Sequence, residues 1–212
     1  MKVGFLITGR LKSTRLPKKL LLKVNDLEVL RWMIRRVKLG LDNVVLCTST
    51  NEEDNPLLTL AEQEGISSFR GSEEDVIKRL YEAAREYGFD FVINITADCP
   101  LVSFEYIDKV IEAYKDTNAD LIRTLDLPHG LFLYGIKVSA LKEIIEIKKE
   151  KHTEVWGKLF TDTGLFDVYD LVIPNELKRP NYRLTLDYPE DFDFFKRVFE
   201  DNGVETYKMK DI

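Results

Sequence analysis

Apolar residues along the chain alternate between two spacings. Val3–Thr8 (VGFLIT) and residues 44–47, within NVVLCTST, are near-continuous apolar runs, the pattern of strands covered on both faces. Between them Val29, Leu30, Met33, Ile34 and Val37 recur at helical spacing, and Gly40 supplies a stop. The pattern predicts a helix over 56–64 closed by Gly65, then a short strand around 66–70. Ser72 with Asp75 three residues on reads as a capping box, opening a helix that runs to about Tyr87 and closes at Gly88. Residues 89–96 (FDFVINIT) form the next apolar run, followed by an acid-capped helix over about 104–115. This β-α-β-α order predicts an α/β fold with a mainly parallel sheet and helices on both faces.

The second half is less regular. Strands are expected over 131–138, 166–173 and 182–187, and a helix over 140–149. A last helix should open with Pro189 at its first position and run to Phe199, with Phe192, Phe194, Phe195 and Phe199 spaced for a buried face. No repeat and no Pro/Gly/Ser-rich linker divides the chain. Residues 1–212 are read as a single domain with an excursion at about 125–180 that could serve acceptor binding or dimerisation.

Composition narrows the class. The 212 residues carry a net charge of −6, which argues against a general nucleic-acid or membrane-surface binder. The apolar run at 3–8 is too short for a signal-peptide core or a bilayer span. Cys47 and Cys99 form no C-x-x-C, so they read as buried thiols of a reducing compartment, with the cytoplasm as default.

Against that acidic background, residues 10–19 hold Arg10, Lys12, Arg15, Lys18 and Lys19 and no carboxylate. The loop follows the first strand, and ligands of open α/β sheets bind beyond the carboxyl ends of strands. It is neither a P-loop nor a G-x-G-x-x-G turn. Arg10, Ser13, Arg15 and Lys19 could surround a triphosphate with guanidinium forks, a hydroxyl and an ammonium; the alternative is a solvated basic loop. Asp98, in ITADCPL, and Asp187, in YRLTLDYPEDF, fall at two further strand ends. Each could cap a helix, but two carboxylates near one basic loop would suit Mg²⁺ (or Mn²⁺) bridging phosphate oxygens.

GRLKSTRLPKKLL resembles the R-x-x-S-x-R-L-P-x-K signature of the cytidylyltransferases that activate acidic sugars, the CMP-sialate and CMP-Kdo synthetases and the spore coat polysaccharide biosynthesis protein F (SpsF) group. The resemblance to the last group continues in order through TSTNEEDNPL, FRGSEEDVIKRLYEAA, ITADCPL and RLTLDYPEDF. It implies a Rossmann-like fold of the nucleotide-diphospho-sugar transferase type, CTP as substrate and a homodimer as one assembly. Arg10, Ser13, Arg15 and Lys19 match the triphosphate loop, the backbone at Thr8 and Gly9 would lie by the cytosine, Arg70 would contact the nucleotide, and Ala97 stands where a glycine is usual. Asp98 and Asp187 match the metal-binding carboxylates, giving Arg10, Lys19, Asp98 and Asp187 as the catalytic set.

This chain departs from the pattern at Lys18, where the motif often has glycine, and in PHGLFLYGIKV, where Phe132 and Tyr134 replace expected carboxylates. His152, Arg183 and Tyr134 are the acceptor-side candidates. The implied reaction activates an acidic sugar or similar small acid as its CMP derivative for surface polysaccharide synthesis. Two other readings stay open: a nucleotide-sugar-dependent glycosyltransferase, against which the missing D-x-D at Asp98 counts, and a nucleotide-binding module without turnover.

Overall fold

The first apolar run becomes the middle of the sheet. In the computed structural model, which describes residues 1–200 and 206–211, β1 is Val3–Thr8. It leads through a hairpin, β2 (Lys23–Val24) and β3 (Leu27–Glu28), into helix α1 (Val29–Lys38), then β4 (Val44–Ser49), α2 (Asn55–Gln63) and β5 (Ser67–Gly71). Helix α3 (Val76–Glu86), β6 (Phe91–Thr96), α4 (Ile107–Thr117), β7 (Leu121–Arg123) and β8 (Tyr134–Lys137) follow. The chain continues with α5 (Val138–Ile147), α6 (Gly157–Thr161), β9 (Val168–Asp170) and α7 (Pro189–Phe199).

Seven strands form one sheet in the order β5-β4-β1-β6-β8-β7-β9. Strand β1 pairs in parallel with β4 and β6, so Thr8 stands beside both Cys47 and Thr96, and three strands end at one edge. The alternation of side chains along a strand then divides the core. Phe5 and Ile7 pack with residues of α1, α2, α4 and α7. Leu6 packs with residues of α3 and α5 on the opposite face. The sheet is mainly parallel because β8 runs antiparallel between β6 and β7.

Four local expectations are corrected. Helix α3 opens at Val76, not Ser72. The Ser72 hydroxyl does accept from Asp75 N at 3.0 Å, but Asp75 is the cap, accepting from Lys78 N at 3.1 Å. The Arg79 guanidinium takes the Ser72 and Glu73 carbonyls, leaving this turn outside the helix. The strand expected over 131–138 shortens to β8, and α5 starts two residues before the expected 140. Residues 182–187 are not a strand of the sheet. They hook onto the 129–131 turn, with His129 N donating to Tyr182 O and Leu184 N to His129 O, and then onto Asp98. The β2–β3 hairpin went unpredicted although its two turn residues, Asn25 and Asp26, take positive φ of 52° and 61°, as tight hairpins require.

Candidate active site

A cavity of about 450 Å³ opens at the edge where β1, β4 and β6 end. Thr8, Gly9 and the loop after them line it, including Arg10, Ser13, Arg15 and Lys19. Ala97 and Asp98 enter from the end of β6, and Asp187 from the hooked segment. The sheet register brings the first pair to the loop, since Ala97 N donates to Thr8 O at 2.8 Å. A single backbone bond brings Asp187: Leu186 N donates to Asp98 O at 2.7 Å.

At their meeting point sits Lys19. Its Nζ lies 2.8 Å from Asp98 Oδ2 and 3.0 Å from Asp187 Oδ1, and its side chain is only 13% exposed. Arg15 adds a second cation, 2.9 Å from Asp187 Oδ1, with its guanidinium over the Tyr188 ring. Burial disfavours the ammonium, but the two carboxylates outweigh it and raise the Lys19 pKa. For Asp187 burial acts upward, and the hydrogen bond and charge of Lys19, helped by Arg15 and Thr185, hold it below its ordinary value.

That shift has a measurable sign. A carboxyl depressed in the folded state stabilises fully above its unfolded pKa of about 3.9 and loses that contribution as pH falls through the lower folded value. The stability difference between wild type and Asp187→Asn should therefore be present at pH 6 and shrink at pH 3 in urea titrations. An equal difference at both pH values would contradict it.

Among the described residues no cluster of three or more His, Cys, Asp or Glu is placed to hold a metal ion. Asp98 and Asp187 nevertheless offer hard oxygen donors that already converge on one cationic nitrogen. That donor set fits Mg²⁺ or Mn²⁺ completed by phosphate oxygens and water.

The other loop cations have partners of their own. Arg10 contacts Glu154 at 3.1 Å and Glu73 at 3.6 Å, and Lys12 contacts Glu73 at 3.0 Å. Lys18, where the signature often has glycine, takes a left-handed φ of 53°. Because glycine adopts that conformation without strain, Lys18→Gly should raise stability by about 1 kcal/mol. Denaturant titration checks this; a loss of stability would count against strain at Lys18.

Three expected residues are not among those lining the cavity. Arg70 donates to the carbonyls of Ser49 and Asn51 and braces the ends of β4 and β5. Arg183 is engaged by Asp191, Thr185 and Asp187. Tyr134 is wedged between the Phe132 and Trp156 rings. His152 does line the cavity, 3.5 Å from Glu74.

Sequence reasoning missed four contributors. Asp54, fully buried, accepts from Leu11 N at 2.7 Å and from Thr48 and Ser49, tying the loop to β4. Glu73 anchors Arg10 and Lys12, while Trp156 and Arg79 form part of the wall. The TSTNEED and EEDVIKR blocks were visible, but nothing in their spacing marked which members turn inward.

A mostly parallel Rossmann-like sheet with a cation-lined cavity of about 450 Å³ at the strand ends places a nucleotide-sized ligand site where open α/β sheets bind their ligands. A cytidylyltransferase of Leptospira borgpetersenii superposes with a TM-score of 0.91 at 29% identity, covering 100% of this chain and 92% of that one. The spore coat polysaccharide biosynthesis protein SpsF of Bacillus subtilis is 30% identical over 94% of this chain and 87% of its own length. An uncharacterized protein of Methanocaldococcus jannaschii is 36% identical over 92% of this chain and 82% of its own. The family model for cytidylyltransferases matches residues 5–212. The chain belongs to the cytidylyltransferase family and is an enzyme of that type. Among its described residues no helix is long and apolar enough to cross a membrane.

Proposed function

We propose that this enzyme transfers CMP from CTP to a hydroxyl of an acidic sugar or similar small acid, releasing pyrophosphate, in surface polysaccharide synthesis. The observation that carries this reading is the Lys19 ammonium held by Asp98 and Asp187, two carboxylates from distant segments, at the mouth of the basic loop. The SpsF relative, named for spore coat polysaccharide biosynthesis, supports the pathway class.

The reaction is an in-line displacement at the α-phosphorus: the acceptor hydroxyl oxygen forms the new P–O bond as the bond to pyrophosphate breaks, and the hydroxyl proton passes to solvent. Such a transfer needs alignment and cations where charge gathers. Arg10, Arg15 and Lys19 bind and neutralise the departing pyrophosphate. To do so Arg10 exchanges Glu154 and Glu73 for phosphate oxygens, and Lys19 swings from between the two aspartates. Asp54 fixes the loop entrance through Leu11 N, so these cations arrive in register with the end of β1. Asp98 and Asp187 would hold a divalent cation, which would supply Lewis-acid polarisation to the phosphoryl transfer.

The test is pyrophosphate release from CTP and Mg²⁺ over a panel of keto-acid sugars and other small acids. Acceptor-dependent release with CTP and not ATP is expected. Tight CTP binding without turnover across a broad panel would instead indicate a nucleotide-binding module.

A further inference from the structure

Two carboxylates brought together by one ammonium repel each other once it is gone. On the proposed reaction both Lys19 and Arg15 turn to the pyrophosphate, so the Asp98–Asp187 pair must be held by other contacts. Lys19 Nζ uses Asp98 Oδ2 and Asp187 Oδ1, and Arg15 shares the latter. The opposite oxygen of each carboxylate goes to a threonine hydroxyl two residues earlier, so that ITADC and RLTLD share a T-x-D pattern. Thr96 Oγ1 lies 2.5 Å from Asp98 Oδ1, and Thr185 Oγ1 lies 3.3 Å from Asp187 Oδ2.

The direction of each bond follows from the groups involved. An ionised carboxylate only accepts, so both hydroxyls donate to it. A guanidinium only donates, and Arg183 Nη1 stands 2.8 Å from Thr185 Oγ1, where it takes a lone pair of that hydroxyl and leaves its proton for Asp187. Arg183 Nη1 reaches the Asp187 carboxylate itself only at 3.7 Å, so the threonine carries the contact. Arg183 is fixed in turn by Asp191, whose second oxygen accepts from Asp187 N and Tyr188 N at 2.9 Å. At Thr96 the Cys99 thiol occupies the corresponding place, 3.6 Å from the hydroxyl oxygen. Thr96 also ends β6 in register with Thr8, and a β-branched side chain is stiff at χ1, so its hydroxyl is aimed by the sheet.

We propose that Thr96 and Thr185 are positioning residues that keep Asp98 and Asp187 turned toward one another after Lys19 leaves, with their hard donors in place for a divalent cation. The assignment rests on these two carboxylates being the cation site. A hydroxyl close in sequence to a carboxylate can also serve a local turn alone. The two roles differ in their effect on the cation, because outer partners of metal ligands are worth roughly 10–100-fold in metal affinity.

The experiment measures, by calorimetry, the Kd of CTP in EDTA and of Mn·CTP. It compares the wild type with Thr96→Val, Thr96→Ser, Thr185→Val and Thr185→Ser. Valine keeps the side-chain shape and removes the hydroxyl. Each valine variant should bind Mn·CTP roughly 10–100-fold more weakly, while its metal-free CTP affinity stays within about threefold of wild type because the loop cations are untouched. Each serine variant should bind Mn·CTP within about threefold of wild type, since the hydroxyl returns. A hydroxyl that serves only a local turn would weaken both forms of the nucleotide alike or neither, and either result overturns the proposal. Thr96 is exposed at the cavity, so Thr96→Val folds and decides the matter even if Thr185→Val, at a position only 5% exposed, does not. If Mn²⁺ fails to tighten CTP binding to the wild type, the cation site itself falls, a separate outcome that leaves the threonines a structural role alone.

Discussion

Asp187→Asn is expected to lower CTP-dependent pyrophosphate release by roughly 10²–10³-fold, the scale of losing one charge-stabilising group from a preorganised site. Asp98→Asn is expected to do the same. In each variant Lys19 keeps the other carboxylate as a partner, so the fold persists and rates are read on folded protein, Asp187→Asn carrying the pH-dependent stability loss of its missing carboxylate. The change removes a charged oxygen from the pair that converges on Lys19 at 2.8 and 3.0 Å, and with it half of the hard donor set. Steady-state rates at saturating CTP measure the effect, with Mn²⁺-nucleotide binding followed in parallel. Near-normal turnover in either variant would remove the two-carboxylate site from the mechanism.

Gly130→Ala has the largest expected effect on stability. Gly130 takes a φ of +99°, and a Cβ there would lie 2.4 Å from the Leu184 carbonyl oxygen. That carbonyl belongs to the hooked segment, whose Leu184 N donates to His129 O at 2.7 Å. Strain and backbone overlap together should cost about 2–4 kcal/mol, a fall in Tm of about 5–12 °C for a chain this size. Activity should fall further than the unfolded fraction explains, because the displaced segment carries Asp187. Calorimetry and rates measured well below the new Tm separate the two effects; an unchanged rate per folded molecule would detach Asp187 from this docking.

The half of the fold built on continuous apolar runs was legible in the sequence. Val3–Thr8 and Phe91–Thr96 announce buried parallel strands, and Pro189 opens α7 where a first-turn proline should. Residues 182–187 alternate like a strand, yet their backbone docks on the 129–131 turn and on Asp98 and not on a strand of the sheet. Periodicity records which side chains turn inward, not which backbone partner receives them. The same limit separates the candidate site residues. Arg10, Arg15, Lys19, Asp98 and Asp187 meet because they end neighbouring strands or dock on one. Arg70 and Arg183, equally basic, are taken up by carbonyls and by Asp191. Charge in the sequence does not say whether a nearby acceptor has already claimed it.

The lysine between the two aspartates bears on the order in which ligands arrive. An ammonium tethered to its own chain competes with dissolved ions at a high effective concentration. On the proposed reading, free Mg²⁺ or Mn²⁺ should bind the nucleotide-free enzyme poorly, since it must displace Lys19 unaided. A triphosphate offers Lys19 somewhere else to go, and vacates the carboxylates as it binds. The enzyme would then take up cation and nucleotide as one complex, and the basic loop would act as a gatekeeper against binding the ion alone.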